Sequence, residues 1–245
     1  MYLQRNMEID SIRNLKKHYE LIRHKKFLRL VYEDFYKRLQ PKNIPPGLVV
    51  ELGSGAGCIK KLYPRVITSD IVASPYIDKV INAEKLPFQK NTIAAYLMLN
   101  VFHHFKNPIL ALQSIERTLK IGGKIIMIEP FNSWWGGLIY HYLHHERYAP
   151  QIDWHKNNDA GFENENIALP WVIFVRDRQI FSQKFPGLKI TRLETHTPFL
   201  YLLSGGLTHW QFWPTSFFSL ARHLDNIVSR FKFMNMFMTV ELIKK

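Results

Sequence analysis

Three glycines at alternate positions, preceded by an acidic residue, carry the clearest chemical signal in this 245-residue sequence. They lie in "VVELGSGAG", residues 49–57, where Glu51 precedes Gly53, Gly55 and Gly57. Because glycine has no Cβ and tolerates positive φ, such a turn lets a ligand approach the backbone closely. Phosphate-binding loops end in Gly-Lys-Ser/Thr, which does not follow here, and Glu51 would repel a pyrophosphate. The loop therefore predicts a ligand that carries positive charge.

Further polar residues follow other predicted strands at their carboxyl ends, where open α/β sheets bind ligands. Asp70 ends one strand, residues 82–84 form a loop, and Asn100 ends another strand. The Asp70 carboxylate can accept hydrogen bonds from two ribose hydroxyls, and the 82–84 loop can meet an adenine edge. The pattern favours an adenosine joined to a cationic group without phosphate.

The elements that position these residues alternate between strands and helices. "LVVEL", "RVITSDI", "IAAYLMLNV" and "KIIMIEP" are short apolar runs typical of buried strands. We expect a helix from Ala56 to about Tyr63, and a helix in "NPILALQSIERTLK" that Gly122 and Gly123 end. "PGLKITRLETHTPF" and "NMFMTVELIKK" supply two more strands. This alternation predicts an α/β fold with an open, mostly parallel sheet.

The rest of the chain divides around this sheet into one predicted domain. Residues 1–46 are predicted to form basic amphipathic N-terminal helices, and residues 47–130 the ligand-binding half. Residues 131–186 form an insertion, and residues 187–245 hold the closing strands, with a helical insertion near 200–232. The insertions are rich in aromatic residues, which either cover an acceptor or form the core of the inserted helices.

Five segments in order, "VVELGSGAG", "TSDI", "NAEKLPF", "NVFHHF" and "RTLKIGGKIIMIEP", resemble the class I S-adenosylmethionine-dependent methyltransferases. The resemblance is closest to the small-molecule, quinone-biosynthesis-like group (methyltransferase type 11-like). It implies a Rossmann-like, seven-stranded sheet with helices on both faces, and insertions after the fifth and sixth strands. It implies S-adenosyl-L-methionine as cofactor and S-adenosyl-L-homocysteine as product. The implied cofactor-binding residues are Glu51, Gly53, Ser54, Gly55, Gly57, Asp70, Ile71, Asn82, Ala83, Glu84 and Asn100. Within this set, Gly53 and Gly55 would line the methionine moiety, and residues 82–84 would face adenine.

The acceptor side of such an enzyme requires little chemistry from the protein, because the sulfonium already activates the methyl group for direct in-line displacement. A histidine is the usual general base for an oxygen or nitrogen acceptor, and His103 and His104 are the catalytic candidates; the alternative is a histidine packed at a strand end. "HYLHHER" invites a metal interpretation through His141, His144, His145 and Glu146, but methyl transfer needs no metal and we expect none. His196 and His209 are further candidates for an acceptor pocket.

Charge and composition limit the partners. The net charge is +13, with surpluses of six over residues 1–43 and five over residues 181–245. The single cysteine, Cys58, excludes an intramolecular disulfide and a cysteine-rich zinc site. Without an 18-residue apolar stretch or a secretory signal, the sequence is typical of a cytoplasmic protein.

The predicted acceptor is a small molecule or a lipid- or saccharide-linked metabolite, and the basic N-terminal helices are candidates for peripheral contact with an anionic membrane. Nucleic acid is disfavoured, because "NVFH" lacks the Asn/Asp-Pro-Pro-aromatic motif of base-amine methylation and the only cysteine lies in the glycine loop. Ribose or ring-nitrogen methylation of RNA stays open as an alternative. A catalytically inactive cofactor-binding module is another.

Overall fold

The fold is built on a seven-stranded sheet, seen in a computed structural model that describes residues 2–144, 146–155 and 165–245, with side chains from residue 13 onward. The strand order is β3-β2-β1-β4-β5-β7-β6. Strands β1 to β5 run parallel, and β7 is antiparallel to both β5 and β6. The strands are β1 Leu48–Leu52, β2 Ile67–Asp70, β3 Lys79–Val80, β4 Ile93–Leu99, β5 Leu119–Pro130, β6 Leu188–His196 and β7 Phe237–Lys244.

The central strand β4 explains why the sheet is covered on both faces. Residues 93–98 are all completely buried, so both faces of this strand pack against apolar side chains. Tyr96 and Met98 belong to one core cluster and Leu97 to the other, on the opposite face. The sheet is therefore the middle layer of a three-layer fold, and its carboxyl edge is free to hold a ligand.

Helices form the two outer layers. Two of them begin at side-chain caps: Asn107 accepts from the backbone N–H of Leu110, and Ser133 accepts from that of Gly136. The α-helices are α1 Tyr2–His24, α2 Lys26–Arg38, α3 Pro108–Thr118, α4 Trp134–Tyr142, α5 Leu169–Trp171, α6 Arg178–Lys184, α7 Leu200–Leu203 and α8 Phe218–Val228. A π-helical turn, Val172–Arg176, joins α5 to α6. The predicted α/β class and seven-stranded sheet are confirmed.

Two local predictions were wrong for reasons of backbone geometry. The expected helix from Ala56 to Tyr63 is only a 3-10 turn at Cys58–Lys61, because Gly55 and Gly57 hold the preceding backbone at positive φ. Gly122 and Gly123 do not end a helix. Helix α3 already ends at Thr118, and the two glycines lie inside β5, where Gly122 has φ +74° and the pairing with β4 shifts register.

Among the seven strands of the described sheet, β3 is the one that the sequence did not locate. Strand β3 has only two residues, Lys79 and Val80, and both are exposed. An edge strand this short buries no apolar face, so it leaves no hydrophobic pattern to read.

The N-terminal helices and the late insertion pack together on one face of the sheet. The Phe27 ring of α2 meets the Phe218 ring of α8 edge to face, with centroids 4.9 Å apart. Arg222 of α8 lies 3.4 Å from the Asp34 carboxylate of α2. No helix among the described residues is both long and apolar enough to cross a bilayer.

Gly57→Ala tests the packing of the glycine loop. Gly57 has φ +65°, and an added Cβ would overlap the carbonyl oxygen of Tyr76. Gly122 is the matched control, since it also has positive φ but has nothing within 4 Å of an added Cβ. In urea unfolding, we expect Gly122→Ala to cost roughly 1–2 kcal/mol from strain alone. Gly57→Ala should cost roughly another 1–3 kcal/mol because the loop must shift. Equal losses would contradict the close contact with Tyr76.

Candidate active site

The glycine loop is held tightly against neighbouring segments at the carboxyl end of β1. Gly53, Gly55 and Gly57 all have positive φ, between +50° and +66°. A Cβ on Gly53 would lie 2.5 Å from the Val101 side chain, in the segment that follows β4. The loop can therefore take only glycine at Gly53 and Gly57, and its backbone is left open toward the ligand side.

Glu51 and Asn100 place unsatisfied polar atoms at the ends of adjacent strands. Glu51 is 1% exposed, and its Oε2 has no hydrogen-bond partner among the described residues; the same holds for Oδ1 of Asn100. Burial raises the pKa of Glu51 to about 8, against a hydrogen bond with Ser54 that lowers it and a further increase from Asp70. A buried carboxylate without a partner is costly. These two oxygens therefore fit a ligand that brings a positive charge or donors.

Asp70 connects the ends of β1 and β2. Its Oδ2 accepts from the backbone N–H of Gly55 at 2.9 Å, and its Oδ1 accepts from that of Val72 at 3.1 Å. Ile71, next in sequence, is 66% exposed. The hydroxyl of Ser54 accepts from the backbone N–H of Ser69 at 3.0 Å and adds a second tie between the two strands. The structure thus brings the predicted residues of the first two strands together.

The 82–84 loop is organised by its own side chains. Asn82 Oδ1 accepts from the backbone N–H of Glu84 at 2.8 Å, and Ala83 is buried. The Glu84 carboxylate turns toward α3, where it accepts from the backbone N–H of Asn107 at 2.8 Å. Glu84 therefore anchors the loop to the start of α3, while its predicted contact with adenine stays a prediction.

Helix α1 lies over the glycine loop. Leu15 Cδ2 is 3.7 Å from the position that a Gly55 Cβ would occupy, and Tyr19 stacks on Tyr76 with ring centroids 4.5 Å apart. Tyr76 is the residue whose carbonyl abuts Gly57. The N-terminal helix thus closes one side of the candidate site and limits the access of water to it.

His103 is held between two carboxylates. Its Nδ1 lies 2.7 Å from Glu129 Oε2, and its Nε2 lies 3.3 Å from Glu146 Oε2. Burial alone would lower the pKa of His103, but Glu129 and then Glu146 raise it to about 9. Both ring nitrogens already face partners. In this arrangement His103 orients the site, and its predicted role as a general base would require Glu146 to move away.

His104 has the more accessible ring of the pair. Its side chain is 37% exposed, and its Nδ1 lies 2.9 Å from Glu165 Oε2. The two histidine rings are 4.1 Å apart. A histidine with one nitrogen beside a carboxylate and part of its ring open is arranged as a general base. The predicted catalytic role is therefore better supported by the geometry of His104 than by that of His103.

The structure regroups the residues that suggested a metal site. Of the set at positions 141–146, His145 lies outside the described residues. His103, His104 and Glu146 instead offer three ligand atoms within 4.8 Å of one another. Glu129 and Glu165, which the sequence analysis did not select, complete this cluster; the carboxylate that directly follows the apolar run "KIIMI" was the available signal for Glu129.

A cavity of about 500 Å³, widely open to solvent, lies between the end of β5, α4 and Tyr148. The Tyr148 hydroxyl donates to Asn132 Oδ1 at 2.5 Å across it, and the His141 ring contacts the Tyr148 ring edge-on. Trp134 and Tyr142 are exposed at its rim. The lining residues are Asn132, Ser133, Trp134, Gly137, Leu138, His141, Tyr142 and Tyr148.

The prediction that His196 faces an acceptor pocket was wrong. His196 ends β6 and is 3% exposed, with its ring nitrogens 2.8 Å from Thr197 Oγ1 and 2.9 Å from Thr239 Oγ1. Burial, with the nearby Arg38 and Arg192, lowers its pKa well below the ordinary value. His196 is thus a neutral core residue. His209 is exposed, and its carbonyl accepts a hydrogen bond from Lys25.

Comparison with known proteins identifies what the first half of the sheet is similar to. Residues 50–127 match the family described as a methyltransferase domain. This segment therefore resembles a methyltransferase domain. The match spans every predicted cofactor-binding residue and both His103 and His104. It ends before the insertions, which form the cavity. A search of curated proteins finds no match.

Solved structures share the fold of this segment and of most of the chain. A geranyl diphosphate methyltransferase in complex with SAM is 14% identical, with a TM-score of 0.53, over 93% of this chain and 90% of that one. A geranyl diphosphate C-methyltransferase from Streptomyces coelicolor A3(2) is 13% identical, with a TM-score of 0.52, over 89% and 80% of the two chains. A methyltransferase from Thermotoga maritima, described as a possible histamine N-methyltransferase, is 17% identical, with a TM-score of 0.52, over 92% and 93%.

Glu146→Gln tests the buried histidine. Because the pKa of His103 is raised in the folded state, its stabilising effect is complete below about pH 6.5 and is lost as the pH rises through about 9. We expect the variant to lower the free energy of unfolding by roughly 1–3 kcal/mol at pH 7. We also expect the difference from wild type to shrink toward pH 9. Urea unfolding of wild type and Glu146→Gln between about pH 6 and 9 measures this difference. Because Glu51 titrates in both proteins, its contribution cancels, and the difference reports the ion pair between His103 and Glu146.

Glu165→Gln is the matched control, because it removes the carboxylate from the exposed pair with His104. We expect that change to cost less than about 1 kcal/mol. Equal losses in the two variants, or a pH-independent loss at Glu146, would contradict the assignment.

Proposed function

We propose that this chain binds S-adenosyl-L-methionine at the carboxyl edge of β1, β2 and β4, and transfers its methyl group to a small or lipid- or saccharide-linked metabolite. S-adenosyl-L-homocysteine would be the product. The observation that carries the proposal is the buried, unpartnered Glu51 oxygen beside Asn100, next to a loop that only glycine can form. A cofactor ammonium satisfies that carboxylate, whereas a phosphate would be repelled.

Each group at this edge then has a distinct task. Glu51 and Asn100 bind the methionine end, and the backbone of Gly53 and Gly55 lies against it. Asp70, already fixed by two backbone N–H groups, turns its remaining lone pairs to the ribose hydroxyls. Exposed Ile71 and the 82–84 loop flank adenine. Helix α1 covers the loop and excludes water.

The cofactor, when bound, supplies an activated methyl group on a sulfonium. The protein then has to hold the acceptor in line with the methyl group and exclude water, which is mainly a matter of positioning. His104, whose Nδ1 lies 2.9 Å from Glu165 Oε2, would take a proton from an oxygen or nitrogen acceptor. Glu129 and Glu146 flank the His103 ring and raise its pKa to about 9, which favours the charged imidazolium between them.

The cavity supports a small acceptor. Its volume of about 500 Å³ is that of a small-molecule site, although it is widely open to solvent, and its lining combines apolar and aromatic side chains with four polar ones: Asn132, Ser133, His141 and Tyr148. It is formed by the insertion after β5, outside the segment that matches the methyltransferase family. An acceptor bound there would be selected by residues of this insertion.

Isothermal titration calorimetry with S-adenosyl-L-methionine and S-adenosyl-L-homocysteine tests the cofactor site. We expect micromolar binding to wild type and a loss of at least about tenfold in Asp70→Asn, since each good charged hydrogen bond contributes roughly 1.5–3 kcal/mol. Asp78→Asn is the matched control: its carboxylate also accepts from a backbone N–H of β2, at Thr68, but on the amino side of Asp70. That variant should bind as wild type does.

Absence of binding to wild type would contradict the proposal. Once binding is established, methyl-labelled cofactor incubated with separated small-molecule, lipid and RNA extracts tests the acceptor class. Label in the RNA would contradict a small or lipid-linked acceptor, and label in none of the extracts would favour an inactive binding module.

Proton release on binding tests Glu51 directly. With its pKa near 8, Glu51 is mostly protonated at pH 7 in the free protein. A bound ammonium would lower that pKa, so close to one proton should leave per cofactor at pH 7 and almost none above about pH 9. Calorimetry in buffers of different ionisation enthalpy measures the number. Glu51→Gln should abolish this proton release, and Asp78→Asn should retain it. Unchanged release in Glu51→Gln would mean that another group loses the proton.

A further inference from the structure

Large apolar side chains are exposed together in the late insertion. Trp210 is 89% exposed and Phe212 is 69% exposed. Six more, all between two-fifths and three-fifths exposed, follow in the next residues: Phe217, Leu220, Leu224, Ile227, Phe231 and Phe233. We call these eight side chains the Trp210 surface. Isolated exposed apolar residues need no explanation, but eight of them within residues 210–233 indicate an interaction site.

Helix α8 organises this surface. At 100° per residue, Phe217, Leu220, Leu224 and Ile227 fall within a stripe of about 80° on the helix. The residues that fix α8 to the protein, Phe218, Ala221 and Asp225, lie on a neighbouring stripe and are buried. The helix therefore has two apolar stripes, one for the core and one that faces outward.

The outward stripe is held in place. The Asp225 carboxylate accepts from the backbone N–H groups of Phe199 at 2.8 Å and Leu200 at 3.0 Å. Phe218 packs on Phe27 of α2. These contacts orient α8, so its outer stripe cannot turn into the core without breaking buried hydrogen bonds.

Basic groups border the Trp210 surface. Between residues 204 and 233 the only acidic residue is the buried Asp225, while Arg230 and Lys232, at the end of the surface, are exposed. Arg222 lies on the opposite side of α8, where it pairs with Asp34. Lys25 donates to the carbonyl of Gly206 at 2.9 Å, and this brings the α1–α2 junction, with exposed Arg23 and Lys26, beside Trp210. Apolar and aromatic side chains in a basic border are the composition of helices that lie in the plane of an anionic bilayer.

We propose that the Trp210 surface binds the surface of a bilayer that contains anionic lipid, with α8 parallel to the membrane and Trp210 and Phe212 at the level of the head groups. Two copies of this chain meeting through this surface would oppose their basic borders, with no exposed acidic residue between 204 and 233 to pair with them. The inference stands apart from methyl transfer, because membrane binding needs neither the cofactor nor an acceptor. It also replaces α1 alone with the late insertion as the principal membrane contact.

Flotation with lipid vesicles tests the proposal on the full chain. We expect wild type to float with vesicles of equal parts phosphatidylcholine and phosphatidylglycerol, and much less with phosphatidylcholine alone or at high salt. The double variant Leu220→Glu/Leu224→Glu should bind at least about tenfold more weakly. Ser219→Glu/Asn226→Glu is the matched control, since it adds the same charge to the same helix on its polar face. It should retain most of the binding.

Three outcomes would overturn the proposal. The first is failure of wild type to bind either vesicle. The second is equal loss in the two double variants, which would leave only a charge effect. The third is a concentration-dependent dimer, detected by light scattering, that Leu220→Glu/Leu224→Glu dissolves while vesicle binding is absent; the surface would then join two copies of the chain. Far-UV circular dichroism and urea unfolding of each variant establish that the exposed substitutions leave the fold intact.

Discussion

The carboxylate of Glu129 is the interaction that ties the insertion after β5 to the sheet. It is completely buried at the end of β5, where its Oε1 accepts from the backbone N–H groups of Val101 and Phe102 and its Oε2 pairs with His103. A buried carboxylate is tolerated only when its charge is balanced and its lone pairs are used. His103 supplies the balancing positive charge. Its other ring nitrogen lies beside Glu146, in the insertion. One carboxylate on β5 thus links the segment that follows β4 and, through His103, the inserted segment.

The cofactor edge is built on the opposite principle. At Glu51 the fold leaves a buried carboxylate oxygen without a partner, and burial pushes its pKa toward neutrality. An unpaired buried carboxyl group destabilises the free protein, and a cationic ligand would remove that penalty. The site therefore favours a positively charged ligand. Of the two buried carboxylates, Glu129 thus has its oxygens satisfied within the protein, whereas one oxygen of Glu51 has no hydrogen-bond partner among the described residues. The positive φ of the three glycines makes the close approach possible.

Helix α8 of the late insertion packs one apolar stripe against the protein and exposes another. Asp225 and Phe218 hold α8 to the protein, while Leu220 and Leu224 point away from it. This arrangement explains why the apolar residues of α8 cover a wider arc of the helix than packing against the core requires. It also explains why aromatic residues in the insertions divide into distinct groups: Trp154 is completely buried, whereas Trp210 is almost fully exposed.

Much of the fold was predictable because its signals are local. Buried parallel strands need continuous apolar runs, and a tight ligand loop needs glycine, so β1, β4, β5 and the loop at residues 53–57 could be read directly. The two-residue β3 and the glycines inside β5 could not, since a short edge strand buries nothing and Gly122 serves strand pairing instead of a helix end. By itself, then, the sequence determined the sheet, the cofactor edge and the charge surplus. Only the tertiary structure decided the partners of His103, the burial of His196 and the outward stripe of α8, because ion pairs and exposure depend on residues far apart in the chain and have no period in sequence.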